Sequence, residues 1–145
     1  DGWLNMFSNV EGSNATSRGA YITWEWYTGK FGTSVRLGGL DETNSHALQR
    51  YIVMHRASYA EPSHIERWGR LGRSNGCFAL GEEQFKIALL NLSGGRLLYA
   101  EALGLKEDGT RAYPPQTIVG EPENGYHILR QPRQETFEQT NPGVS

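Results

Sequence analysis

The chain has one cysteine, Cys77, among 145 residues. That scarcity excludes an internal disulfide and a thiol-based metal site. A strong excess of charge is also missing. Fourteen Lys and Arg stand against sixteen Asp and Glu, a net charge of −2. No global field therefore draws the chain to nucleic acid or to an anionic membrane. No apolar run reaches the length of a transmembrane helix. No charged start followed by an apolar region marks a signal peptide. Proline is nearly absent from the first hundred residues, and five of the six fall between Pro114 and Pro142.

What is present is bulky and turn-rich. Four Trp, seven Tyr and five Phe accompany 18 glycines, and hydrophobic residues make up 37% of the chain. This composition fits one globular domain that leans toward β structure. Residues 1–19 read as an irregular polar opening, with Gly12-Ser13-Asn14 as turn material. Ala20–Tyr27 alternates as a strand, with Tyr21, Thr23, Glu25 and Tyr27 on one face and Ile22, Trp24 and Trp26 on the other. Thr28–Gly32 turns the chain into a second strand through Thr33, Val35 and Leu37, so a hairpin is expected. Asp41–Asn44 reads as a polar loop and Ser45–Arg50 as a short helical turn. Tyr51–Met54 is a continuous apolar run, as expected of a strand buried on both faces. His55 stands where that strand emerges.

Ala57–Arg73 is a long loop with one helical turn near Ile65–Trp68. Gly81–Leu92 is the clear helix. Phe85, Ala88, Leu89 and Leu92 form one apolar stripe, and Glu82 and Glu83 sit in the first turn where the dipole favours them. Gly94-Gly95 is expected to end it in a left-handed turn. Arg96–Leu103 is a strand candidate. Beyond it, residues 104–145 read as an extension rich in proline and charge that adds little core, with Tyr126–Leu129 docking locally.

The chemistry concentrates between Met54 and Leu80. A lone cysteine serves either as a small buried hydrophobe or as a nucleophile. A neighbouring imidazole converts the thiol to a thiolate. Of the four histidines, His55 is the best placed. His46, His64 and His127 fall in loops or the extension, where solvated positions are expected. Gly76 lets the backbone approach a substrate, and the amides of Gly76 and Cys77, just ahead of a helix, are candidate oxyanion donors. Arg70 and Arg73 flank the cysteine and are suited to a thiolate or a carboxylate. A zinc site fails for want of a second thiol or a histidine pair. A phosphate-binding loop over Gly69–Gly76 fails for want of the Gly-Lys-Ser/Thr ending.

Several motifs then stand in order: Phe7-Ser-Asn9, Ser17-Arg-Gly-Ala-Tyr21, Tyr27-Thr-Gly-Lys-Phe-Gly32, Arg36-Leu-Gly-Gly-Leu40, Ile52-Val-Met-His55 and Gly72-Arg-Ser-Asn-Gly-Cys77. Together they resemble the L,D-transpeptidase (YkuD-like) catalytic domain, in its murein L,D-transpeptidase catalytic domain family branch. The likeness runs from about Phe7 to about Leu103. It implies a mainly β fold with one or two helices (α+β), an L,D-transpeptidase-like β-sandwich without the family's usual N-terminal strands. The expected division is a catalytic domain over 1–103 and an extension over 104–145.

The resemblance also implies roles. Cys77 attacks the carbonyl after the third residue of a peptidoglycan stem tetrapeptide, D-alanine leaves, and a second stem's amine resolves the thioester. His55 is the base, held by a backbone carbonyl near Arg56. Gly76 and Cys77 supply oxyanion amides. Ser74 shapes the turn, and Asn75, Arg73, Arg56 and Tyr59 complete the substrate site. No cofactor or metal is implied, and carbapenem-type β-lactams are the implied inhibitors. The implied location is the periplasm or cell envelope. Three positions depart from the family pattern: Asn75 where His or Trp is common, Phe78 after the cysteine, and Ala79 where many relatives carry Arg. Arg73 is placed to substitute for that arginine. A stem-peptide hydrolase and an inactive peptidoglycan-binding relative remain alternatives.

Overall fold

The computed structural model describes residues 6–102, 108, 110 and 116–120. In chain order the elements are β1 (Met6–Ser8), β2 (Gly19–Gly29), β3 (Gly32–Gly39), β4 (Val53–Arg56), α1 (Pro62–Trp68), β5 (Phe78–Leu80), α2 (Glu82–Leu92), β6 (Leu97–Ala100) and β7 (Gln116–Ile118). Five strands form one sheet in the order β5-β4-β3-β2-β6. The pairs are antiparallel except β4–β5, which is parallel. The mainly β, α+β class expected from the sequence is the class observed.

The β2–β3 hairpin is the spine. Gly29 pairs with Gly32, so the turn is only Lys30-Phe31. Three steps along β2, from Thr23 to Trp26, oppose two along β3, from Leu37 to Val35. The extra residue is a bulge, and it breaks the simple alternation expected for β2. Tyr21 consequently lies in the main core, whereas Tyr27 packs on the opposite side with Val53 and Cys77. Trp26 is left 59% exposed.

The main core fills one face of the sheet. Tyr21, Val35, Leu37, Ile52 and Met54 meet Phe7 from β1 and Phe85 from α2. Ala88, Leu89 and Leu92 pack against the same cluster, as the helical stripe predicts. Each fully buried side chain of this size contributes about 1.5–3 kcal/mol. Phe85 therefore anchors α2 across the sheet, and α2 in turn fixes the short β5 beside β4.

Several boundaries differ from expectation for physical reasons. Residues 6–8, in the opening read as irregular, form β1, and they pair in parallel with Gln116–Ile118. That stretch of the expected extension adds backbone pairing rather than core, since Gln116 and Ile118 stay exposed. The Tyr126–Leu129 segment lies outside the described residues, as does Leu103. Gly94 and Gly95 do take positive φ. Their N–H groups bond the carbonyls of Trp24 and Thr23, so they dock the helix end on the sheet rather than cap the helix. The loop after β4 carries a 3-10 turn (Ser58–Ala60) and the seven-residue α1, closed by Gly69 at φ 72°.

The polar opening is stitched down by side chains. Asn9 is fully buried; its amide donates to Ser45 Oγ (2.8 Å), and its Oδ1 accepts from the His46 amide (2.9 Å). The His46 ring bonds the Asn9 carbonyl in return, at 3.1 Å, so His46 is a clasp rather than a solvated residue. Asn44 and Asp41 similarly hold Ala20 at the start of β2. Buried polar groups need such partners, which explains why this polar stretch is ordered.

Candidate active site

The strand register decides which side chains can meet. His55 pairs with Ser34 of β3 on one side and with Ala79 of β5 on the other. It therefore lies near the end of β4, whose last residue is Arg56, where the strand was expected to emerge; the strand itself begins at Val53 rather than Tyr51. Met54 pairs with Phe78, and both face the main core. Phe78 packs edge-on against Tyr21 at 5.4 Å. Alternation then turns Val53 and His55 to the opposite face, and Cys77 joins Val53 and Tyr27 there. Cys77, one residue ahead of β5, and His55 of β4 are thus turned toward the same face of the sheet.

His55 is 1% exposed. Its Nδ1 lies 2.9 Å from the Arg56 carbonyl. A carbonyl only accepts, so Nδ1 carries the proton and Nε2 presents its lone pair. Among the described residues Nε2 has no hydrogen-bond partner. Burial lowers the imidazole pKa, and the Arg56 carbonyl partly opposes this. Phe31, from the hairpin turn, stacks on the ring at 5.3 Å. The result is a neutral imidazole held rigidly with one bare basic nitrogen.

Cys77 is 6% exposed and is a free thiol. Burial pushes its pKa up to about 12, against smaller lowering effects of a backbone hydrogen bond at Val53 and of the Arg50 charge. The thiol donates to the Tyr51 carbonyl at 3.6 Å. Tyr51 presents that carbonyl from a left-handed backbone, φ 53°. The thiol is therefore parked on a carbonyl rather than on His55 Nε2.

The turn before Cys77 is tightly specified. Ser74 Oγ donates to the Cys77 carbonyl at 2.6 Å, across the turn. Gly76 has φ 103°, and a Cβ there would stand 2.7 Å from the Ala15 carbonyl oxygen. Thr16 Oγ1 donates to the Gly76 carbonyl at 3.0 Å. Contrary to expectation, this turn does not lead straight into a helix. Strand β5 and Gly81 intervene, and the first amide of α2, on Glu82, already bonds Glu61 Oε1 at 2.5 Å. The dipole of α2 is answered by Glu61 and is not available to Cys77.

A cleft of about 700 Å³ opens beside His55. Phe31, Arg56, Tyr59, Glu61 and Glu82 contribute to its walls, but Cys77 does not. Arg56 is exposed, and its Nη1 contacts Glu82 Oε2 at 3.1 Å. Tyr59 is fixed by the Gly72 amide, which donates to its carbonyl at 2.8 Å. Arg70, Arg73 and Asn75 are exposed on the loop outside this cleft. His64 lies in α1, with Nδ1 2.7 Å from the Arg70 carbonyl. No group of three or more metal-ligating side chains exists among the described residues.

A family model described as the L,D-transpeptidase catalytic domain, YkuD_2, matches residues 3–100. The chain belongs to this L,D-transpeptidase catalytic-domain family. No curated protein and no solved structure matched the chain. The span matched by the L,D-transpeptidase domain holds β1 to β6, both α-helices and every site residue named above.

Three contributors to this candidate site are not evident from the sequence. Phe31 was read only as turn material, although a lone aromatic in a two-residue hairpin turn has no core position of its own. Tyr51 was assigned to the strand, yet it acts through its carbonyl. Arg50 was read as the end of a helical turn; it is a buried cation directly preceding an apolar run. Gly76→Ala tests the turn directly. The positive φ and the contact with Ala15 are expected to cost about 2–3 kcal/mol. For a domain of this size that lowers Tm by roughly 6–10 °C in a thermal melt followed by circular dichroism.

Proposed function

We propose that this domain is a peptidoglycan L,D-transpeptidase that works through a Cys77 thioester. The observation that carries the reading is His55. Its tautomer is set by the Arg56 carbonyl, its Nε2 is bare, and it lies on the face that holds Cys77 and on the wall of an open cleft. A neutral, oriented imidazole is what a buried thiol needs as general base.

In this reading Cys77 leaves the Tyr51 carbonyl and passes its proton to His55 Nε2. The sulfur attacks the carbonyl of the third residue of a stem tetrapeptide. The amides of Gly76 and Cys77 hold the oxyanion. His55 returns the proton to the departing D-alanine amine, and a thioester remains. The amine of a second stem attacks that thioester, loses its proton to His55, and the thiol is regenerated with a new amide crosslink. Arg56 and Tyr59 line the path of the stem beside His55; Arg73 and Asn75 meet it on the far side of Cys77. The chain needs no cofactor for this sequence and acts in the cell envelope. Carbapenem-type β-lactams acylate the same sulfur.

The experiment is product analysis. With a disaccharide-tetrapeptide as both donor and acceptor, mass spectrometry is expected to show a crosslinked dimer that has lost one D-alanine. Tripeptide as the sole product would instead assign hydrolysis. A second reading, an inactive relative that only binds peptidoglycan, draws on the near-complete burial of Cys77 and its bond to Tyr51. Unchanged tetrapeptide together with retention on murein sacculi would establish it.

A further inference from the structure

Arg50 is a buried charge that the proposed reaction leaves unused. Its side chain is 4% exposed. The guanidinium Nη1 donates to the Ser8 carbonyl (2.7 Å) and Ser17 Oγ (3.2 Å). Nη2 donates to Ser13 Oγ (3.2 Å) and the Ala15 carbonyl (2.8 Å). All four acceptors are neutral. Among the described residues its carboxylate neighbour is Glu11, 3.9 Å away with a side chain 79% exposed. Four hydrogen bonds satisfy the donors, but they do not neutralise the charge. Burying a cation without a close buried anion is costly.

The position of that charge suggests what offsets it. Nη2 lies 3.5 Å from where a Cβ on Gly76 would stand, beside the turn that delivers Cys77. The next residue, Tyr51, supplies the carbonyl that receives the thiol. One pair of adjacent residues therefore places a cation beneath the cysteine turn and an acceptor at the sulfur. We infer that Arg50 is a positioning residue, the buried counter-charge for the Cys77 thiolate when it forms. This rests on Cys77 being the nucleophile, though not on the identity of its substrate.

Other groups around the thiol do not supply this charge. Tyr27 of β2 and Tyr51, just ahead of β4, pack with it, and a phenol side chain carries no positive charge in any protonation state; burial disfavours the charged form of His55. Arg36 of β3 is spent over the Tyr27 ring, 4.6 Å from its centroid. Burial raises the thiol pKa most, and the Arg50 charge works against that rise.

The test is the pH profile of Cys77 alkylation by iodoacetamide in the intact chain, with folding checked by circular dichroism. Arg50→Gln removes the charge and keeps a donor; alkylation at pH 8 is expected to fall about tenfold, the equivalent of one pKa unit. Arg50→Lys keeps the charge and is expected to stay within about threefold of the parent. Ser13→Ala removes one bond to the opening segment and no charge, and is expected to leave the profile in place. Glu11→Gln, on an exposed side chain, removes a competing negative charge and is expected to speed alkylation about twofold. A parental profile for folded Arg50→Gln, or equal slowing by Ser13→Ala, overturns the inference. If Arg50→Gln does not fold, Glu11→Gln decides, and an unchanged rate overturns it. Transpeptidation itself is not measured, so its absence in the product assay leaves this result intact.

Discussion

Cys77→Ser is expected to abolish crosslinking and carbapenem acylation while leaving the fold intact. Loss of the nucleophile in a concerted catalytic set removes at least about 10⁴-fold of turnover. The parent protein should gain one carbapenem mass in intact-mass spectrometry, and the variant none. Serine is nearly the shape of cysteine, and its hydroxyl keeps the Tyr51 carbonyl as acceptor. The variant should therefore melt close to the parent, so loss of the adduct reports on chemistry. The parent reaction should also climb with pH. With a thiol pKa at about 12, the thiolate fraction grows tenfold per unit across the neutral range, unless bound substrate moves the thiol onto His55. A Ser variant that still forms the dimer would refute the proposed mechanism outright.

His55→Gln is expected to lower turnover by about 10²–10⁴-fold, the usual worth of a positioned general base. Glutamine fills part of the ring's volume beside Phe31 but has no basic nitrogen. The pH dependence gives a second, independent signature. Burial holds the His55 pKa below the ordinary 6.5, so on acidification the unfolded chain takes up this proton before the folded one. Its contribution to stability is complete above pH 6.5 and is lost as pH falls through the lower folded value. Cys77 acts in the opposite direction. Its thiol is pushed from 9.0 to about 12 by burial, so the unfolded chain ionises first. That contribution is complete below pH 9.0 and is lost as pH rises toward 12. Tyr21, raised by burial from 10.0 to about 12, adds to the alkaline limb.

Thermal melts across pH should therefore show a plateau between about pH 6.5 and 9. In His55→Gln the acid limb flattens; in Cys77→Ser the alkaline limb shrinks to the share of Tyr21. An acid limb of unchanged slope in His55→Gln would show that the buried imidazole does not govern it.

The acidic cleft beside His55 shows how shared elements set this chemistry. Glu82 and Glu83 begin α2, where the dipole favours them, and Lys86 bridges both from the next turn at 3.2 Å. Arg56 joins Glu82 from β4. Exposed pairs of this kind are worth little in stability. Their consequence is placement: they bring the start of α2 to the wall of the cleft while Phe85 ties the same helix to the core.

The sequence by itself determined the family and the fold class. Those rest on local patterns: the alternation of β2, the helical stripe of Phe85, Ala88, Leu89 and Leu92, and motifs whose residues lie close in the chain. The hairpin and the Ser74-to-Cys77 turn are of this local kind, and both are present. What the sequence could not determine is set by pairing between distant segments. The bulge between Thr23 and Trp26 decides which aromatic rings reach the core, and a bulge depends on the partner strand. The three residues of β5 are too few to show a period, yet their parallel pairing with β4 fixes Cys77 and His55 on one face. Residues 6–8 become a strand only because residues 116–118 lie beside them. Arg50 looks like any surface arginine until Ser8, Ser13, Ala15 and Ser17 wrap around it. Only the tertiary structure decided where the thiol rests, on the Tyr51 carbonyl with a buried charge beneath its turn, because burial and electrostatic environment arise from contacts between segments far apart in the chain.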